Sequence, residues 1–363
     1  MKQNKIFSKF KNGHINMFIS SLMLFAFVSC TSESNEGKTF GTNPSNIVVT
    51  AQIAGQSAQY PNGDGIGTVI FNISATDATS YKIDTGTGDI LEATAGPVSY
   101  TYKLSGTNTY KVNVSAYNGP NFVSTSINIT IFVAGNTLFA DEFNIDGAPN
   151  SSKWGYDIGA GGWGNNEAQY YTSRPENVIV QGGYLKIIAK KEAYLGSSYT
   201  SARLLTKGKY AFKYGRVEIR AKLPTGGGTW PALWMLGSNL DTAGWPACGE
   251  IDIMEHKGNE LNKIHGTLHF PGRSGGNPDT TVVTPNTTAT TEFHNYSIDW
   301  RSDTIKFYVD GVLFKTFGNS ASVPFNQNFF LIFNCAMGGI FGGAIDPNFN
   351  SATFEIDYIR VYN

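Results

Sequence analysis

The stretch Gly249–His256, GEIDIMEH, holds three carboxylates among apolar residues: Glu250, Asp252 and Glu255. Paired carboxyl groups can work as nucleophile and general acid/base when one is ionised while the other keeps a proton. Ile251, Ile253 and Met254 mark the stretch as a strand with a buried face. Strict alternation puts Glu250 and Asp252 on one face and sends Glu255, three residues beyond Asp252, to the other. A β-bulge at Ile253 and Met254 adds one residue and returns Glu255 to the first face. The outer two backbones then lie about four strand steps apart, about 13 Å. Glutamates leaning toward each other leave about 5–6 Å between carboxyls, the separation of a retaining glycosidase and too short for an inverting one. In that geometry Glu250 attacks an anomeric carbon, and Glu255 protonates the leaving oxygen and later activates water. Asp252, between them, can hydrogen-bond the nucleophile, and crowded charge raises the pKa of the group that must stay protonated. The plain alternative is an acidic strand facing solvent or a metal; flanking aromatics and the lack of clustered histidines for a transition metal count against it.

Such a row needs a sheet to carry it, and the composition supplies one. The chain has 363 residues, 41% of them hydrophobic and 13% aromatic, enough for a large core and more than one domain. Forty-one glycines and many Thr, Val, Tyr and Phe favour an all-β protein with tight turns over a helical one. A formal net charge of −1 gives no footprint for nucleic acid or an anionic membrane.

All six tryptophans (Trp154, Trp163, Trp230, Trp234, Trp245, Trp300) fall after residue 153. Before them, residues 46–134 read as a smaller β-sandwich of short strands such as 68–74, 98–104 and 110–116, separated by Gly, Asn, Asp and Pro. This part resembles PKD-type immunoglobulin-like domains, with Gly88-Asp89 near the usual turn, and is expected to act as a spacer rather than to bind glycan. Residues 137–363 form the larger unit. GRVEIRAKLP, HNYSIDWRSDTIKFYVDGVLFKTF and FEIDYIRVY alternate apolar with polar, and Asp310-Gly311 signals a hairpin. Stacked antiparallel sheets follow, with a groove on the concave face.

The amino terminus is a processing segment. Lys2, Lys5, Lys9 and Lys11 precede an apolar run, Met17 to Val28, too short to span a bilayer as a permanent helix. Phe27-Val28-Ser29-Cys30 resembles the lipobox of bacterial lipoproteins, which implies a lipoprotein signal over 1–30 whose cleavage leaves Cys30 as the lipidated first residue, a polar linker over 31–45, and an outer-membrane address with the lipid as sole membrane attachment. Cys248 and Cys335 could pair in an oxidising compartment or remain buried thiols.

The motif Glu-Ile-Asp-Ile-Met-Glu is similar to the signature of glycoside hydrolase family 16. GGWGNNEAQYYT, SARLLTKGKYAFKYGRVEIRAKLP, GGGTWPALWMLG, GTLHF and FEIDYIRVY follow the order seen in its laminarinase-like members. The resemblance covers residues 137–363 and implies a β-jelly-roll sandwich with Glu250 as nucleophile, Asp252 as assisting acid and Glu255 as acid/base. The extra Met254 places the chain with the bulged members. Trp230, Trp234 and Trp245 would line the groove, Asn166 and Arg203 would bind sugar hydroxyls, and His269 would stand near the cleavage point. Trp154 and Trp300 are expected in the core, and His256 facing away from the groove.

Few basic residues beyond Arg203 fall in the groove motifs, so a neutral β-glucan is the expected substrate: endo-cleavage of β-1,3 bonds by a monomer without catalytic cofactor, with mixed-linkage β-1,3-1,4-glucan also accepted. A galactan hydrolase, a transglycosylase and a non-cleaving glycan-binding protein are the alternatives. The resemblance also implies one structural Ca²⁺ at Glu142, the Gly183 backbone and Asp357, although Asp357 could equally cap a strand.

Overall fold

The computed structural model describes residues 42–363 except 59, 95, 286 and 287. The export segment and Cys30 therefore lie outside the described residues. No helix among those described is long and apolar enough to cross a membrane.

Strands dominate, in two sandwiches. The first pairs a three-stranded sheet (Ser45–Ile53, Thr68–Thr76, Val98–Thr101) with a four-stranded one (Ile90–Ala93, Ser80–Asp84, Gly106–Asn118, Asn121–Val133). Alternation puts Val69, Phe71, Ile83, Val112, Val114 and Ile131 between the sheets, where each is fully buried.

Residues 134–136 lead into the larger sandwich. Its groove-bearing sheet has seven antiparallel strands in the order Asp279–Val283, Ile264–His269, Glu250–His256, Thr229–Gly237, Phe329–Met337, Arg203–Leu205, Gly155–Tyr156. A ten-stranded sheet, built around Ser351–Tyr362, Gly215–Lys222, His294–Trp300 and Thr304–Val309, lies behind it. Leu233, Met235, Phe333 and Leu268 from the first sheet meet Val217, Ile219, Ile298, Phe307 and Ile359 from the second in one buried core. Trp154 and Trp300 belong to it, as expected. Asp310-Gly311 forms the anticipated hairpin turn, both residues at positive φ (48° and 71°), the conformation a tight two-residue loop requires.

The smaller sandwich packs against the back of the larger one. The Arg216–Glu218 ion pair (2.8 Å) stands on the outer face of the ten-stranded sheet, yet each side chain is only 5% exposed. Phe132 of the first sandwich covers it, with its ring 4.1 Å from the Arg216 guanidinium, and Thr107 Oγ1 lies at 3.5 Å. Tyr60 and Tyr358 share a hydroxyl hydrogen bond of 2.7 Å beside it. The spacer expected from the sequence is thus docked on the second sandwich.

Candidate active site

The Glu250–His256 strand carries the bulge. Glu250, Asp252 and Glu255 stand opposite Leu236, Trp234 and Ala232 on one neighbour and His269, Thr267 and His265 on the other. Both partners advance by two residues at every step, so all three carboxylates share a face although their own spacing is two and then three. Ile251, Ile253 and Met254 enter the core with at most 1% exposure. The bulge therefore turns two consecutive apolar side chains inward, which a regular strand cannot do.

Asp252 and Glu255 are 3% and 8% exposed, and the Glu250 side chain 17%. Trp245 Nε1 donates to Glu250 Oε2 at 2.8 Å and Trp230 Nε1 to Glu255 Oε1 at 3.1 Å. Two indoles thus fix the two ends of the row. Burial, and next the charge of Asp252, push Glu250 up to about 8. Burial and the charge of Glu255 drive Asp252 well above the ordinary carboxylate range. Burial also raises Glu255, opposed by the neighbouring His269, by hydrogen bonds from Thr267 and Trp230 and by the charge of Lys257. Three such groups cannot all ionise at neutral pH. A proton on Asp252, the most buried, removes the second cause of the Glu250 shift and leaves that carboxylate free to ionise while Glu255 keeps its proton.

His269 Nε2 lies 3.4 Å from Asp252 Oδ2 and 3.8 Å from Glu250 Oε1. The ligand atoms of Glu250, Asp252 and His269 all fall within 4.8 Å of one another, so their spacing alone would admit a metal ion. The imidazole's other nitrogen argues otherwise. Gly275 N–H donates to Nδ1 at 3.3 Å, making it the acceptor and leaving the proton on Nε2, where it faces the carboxylates and not a cation. His256 points away into the interior, fully buried, and burial lowers it to about 4.

Toward one end of the groove, Arg203 is held between the rings of Trp163 (5.0 Å) and Trp234 (4.8 Å), with Nε 3.0 Å from Asp157 Oδ2 in an ionic contact without hydrogen-bond geometry. Trp234 Nε1 donates to Asn334 Oδ1 at 2.8 Å, and Asn334 Nδ2 donates to Tyr171 Oη at 3.0 Å. Asn166 is exposed at positive φ (59°) in the loop after Trp163. Beside Glu255, Phe341 contacts Trp230 (5.0 Å) and His265 (4.9 Å), and Lys257 Nζ lies 4.6 Å from its ring. Trp163, Asn334, His265, Lys257 and Phe341 are additions to the residues expected from sequence. A lone Asn in the apolar FFLIFNCAM strand and a Phe between glycine pairs in GGIFGG were the available signals.

The implied calcium donors are otherwise engaged. Glu142 takes a two-pronged ion pair from Arg360, both contacts 2.8 Å, Asp357 pairs with Arg220, and Gly183 sits in a turn at φ 83°. With both carboxylates matched by guanidinium groups the site does not fit a cation, and no step below uses one. Cys248 and Cys335 are free buried thiols, raised by burial to about 11 and about 12.

Comparison with known proteins places the larger sandwich in a family. Glycosyl hydrolases family 16 matches residues 165–360, more than half of the chain. The chain belongs to that family. Among family 16 relatives, a beta-glucanase of Rhodothermus marinus is 46% identical over 242 residues, covering 62% of this chain and 84% of the relative. Glucan endo-1,3-beta-glucosidase A1 of Niallia circulans is 39% identical over 260 residues, 62% of this chain but only 38% of that longer protein. The X-ray structure of the laminarinase from Rhodothermus marinus superposes with a TM-score of 0.61 at 44% identity, covering 63% of this chain and 97% of that one. The family 16 fold thus corresponds to the larger sandwich alone.

Proposed function

We propose that the protein is a retaining endo-glucanase that cleaves β-1,3 bonds in laminarin-type glucans and also accepts mixed-linkage β-1,3-1,4-glucan. The observation that carries this reading is the bulge that sets Glu250, Asp252 and Glu255 in one row on the groove. Ionised Glu250 attacks the anomeric carbon, and Glu255 gives its proton to the departing sugar oxygen. A glycosyl ester on Glu250 results. Glu255, now a carboxylate, takes a proton from water, whose oxygen attacks the same carbon and releases Glu250. Asp252, protonated, donates to Glu250 and steadies its charge as the ester breaks. Trp230, Trp234, Trp245 and Trp163 offer flat faces to the C–H faces of sugar rings, and Arg203 and Asn166 offer donors to hydroxyls.

Similarity to a beta-glucanase and to a laminarinase supports a glucan over a galactan. Residues 2–30 support an exported chain tethered through lipidated Cys30. Incubation with laminarin, barley β-glucan, agarose and carrageenan tests the assignment: new reducing ends are expected from the two glucans. No new ends from any of the four would refute hydrolysis, and Glu250→Ser is expected to abolish cleavage while preserving binding.

A further inference from the structure

Lys315 lies on the Val312–Gly318 strand, at the edge of the ten-stranded sheet, and is 5% exposed. Its ammonium crosses to the groove-bearing sheet. Nζ donates to Gly266 O at 3.1 Å and to the backbone oxygen of Asp279, and lies 2.7 Å from Asp279 Oδ1. All three protons are thereby used, and the fixed charge stays in place. Gly266 lets the two sheets come close here: a Cβ on it would meet the rings of Phe314 at 2.9 Å and Phe307 at 3.0 Å. The next residue, Thr267, stands directly opposite Asp252. The cation is thus held from behind on the strand that borders the carboxylate row.

We propose that Lys315 is a positioning residue for the reaction, a buried cation that lets the row Glu250, Asp252 and Glu255 hold negative charge without touching substrate. The inference rests on the glycosidase reading of that row. Around Asp252 the titratable and charged groups are Glu250, Glu255, His269 and Lys315; around Lys315 they are Asp279, Arg273 and Asp252. Lys315 lowers Asp252, and Asp252 in turn raises Lys315. A lysine that only ties the two sheet edges together would affect stability and leave the ionisation of the row unchanged.

The test compares Lys315→Met, Lys315→Arg and Asp279→Asn. In Lys315→Met the acid limb of kcat/KM on laminarin should move to higher pH by roughly 0.5–1 unit, the effect of removing one charge across a partly screened interior. Lys315→Arg should restore the wild-type limb. Asp279→Asn, which leaves the ammonium less neutralised, should move the limb the opposite way and decides the matter if Lys315→Met does not fold. The same shifts should appear in ¹³C NMR titration of the side-chain carboxyls, a readout that needs no activity. An inactive wild type would count against the functional reading, while the carboxyl midpoints would still decide separately whether Lys315 governs the ionisation of the row. Carboxyl midpoints unchanged in both Asp279→Asn and any folded Lys315 variant would overturn the proposal.

Discussion

Glu250 shows what the site costs the fold. The crowded row keeps a proton that free carboxyls shed near pH 4.5, Glu250 being pushed up to about 8 when Asp252 is charged, so the row favours the folded state fully below about pH 4.5 and that contribution is lost as pH climbs toward 8. Glu250→Gln carries no charge to titrate and still offers an acceptor to Trp245. The variant should melt close to wild type near pH 4.5 and progressively above it by pH 8, by roughly 2–4 °C for each kcal/mol relieved. Calorimetry across that range checks it; a gap that stays constant with pH would contradict the assigned shift. The shared face of the three carboxylates was legible from residue type and spacing, whereas Trp230 and Trp245, which bond Glu255 and Glu250, were placed beside them only by the family resemblance. Asn334 and Phe341 left only weak signals, a lone Asn in an apolar strand and a Phe between glycine pairs, because pairing across long stretches of chain brings them to the site; His265 lies on the neighbouring strand, opposite Glu255, with no pattern to set it apart.

At the scale of the element, the bulge is the decisive feature, and one substitution separates it from a regular strand. Strict alternation puts Met254 on the groove face with Glu250 and Asp252, where truncation would be nearly free. The observed strand buries it completely in the core, opposite Leu233. Met254→Ala should therefore cost about 2–5 kcal/mol in denaturant unfolding, and a loss below about 0.5 kcal/mol would argue for the regular strand. The bulge could be read from sequence because one carboxylate was out of register. The Asp310-Gly311 hairpin was readable for a similar reason, since turn chemistry is local. The sheet order, with Glu250–His256 between Thr229–Gly237 and Ile264–His269 and the late Phe329–Met337 strand inserted beside Arg203–Leu205, depends on pairing across long stretches of chain and left no local trace.

For the whole molecule, the docking of the two sandwiches is the feature on which the local sequence pattern is silent. In GRVEIRAK, Arg216 and Glu218 alternate with apolar residues as a solvated face would, yet Phe132 and Thr107 cover them. A chain cut to residues 137–363 would open this buried ion pair and the Tyr358 hydroxyl to water and lose the packing of Phe132 on Tyr362. It should fold, since the Rhodothermus marinus laminarinase corresponds to this part alone, but melt several degrees below the full chain; equal melting temperatures would mean that the contact contributes nothing. The central claim concerns the groove: an attack by Glu250 followed by attack of water, made possible by the bulge. Following laminarin cleavage by ¹H NMR from the first minute tests it most directly. The account predicts that the new reducing end appears first as the β-anomer and drifts to the α/β equilibrium; α-anomer appearing first would contradict it.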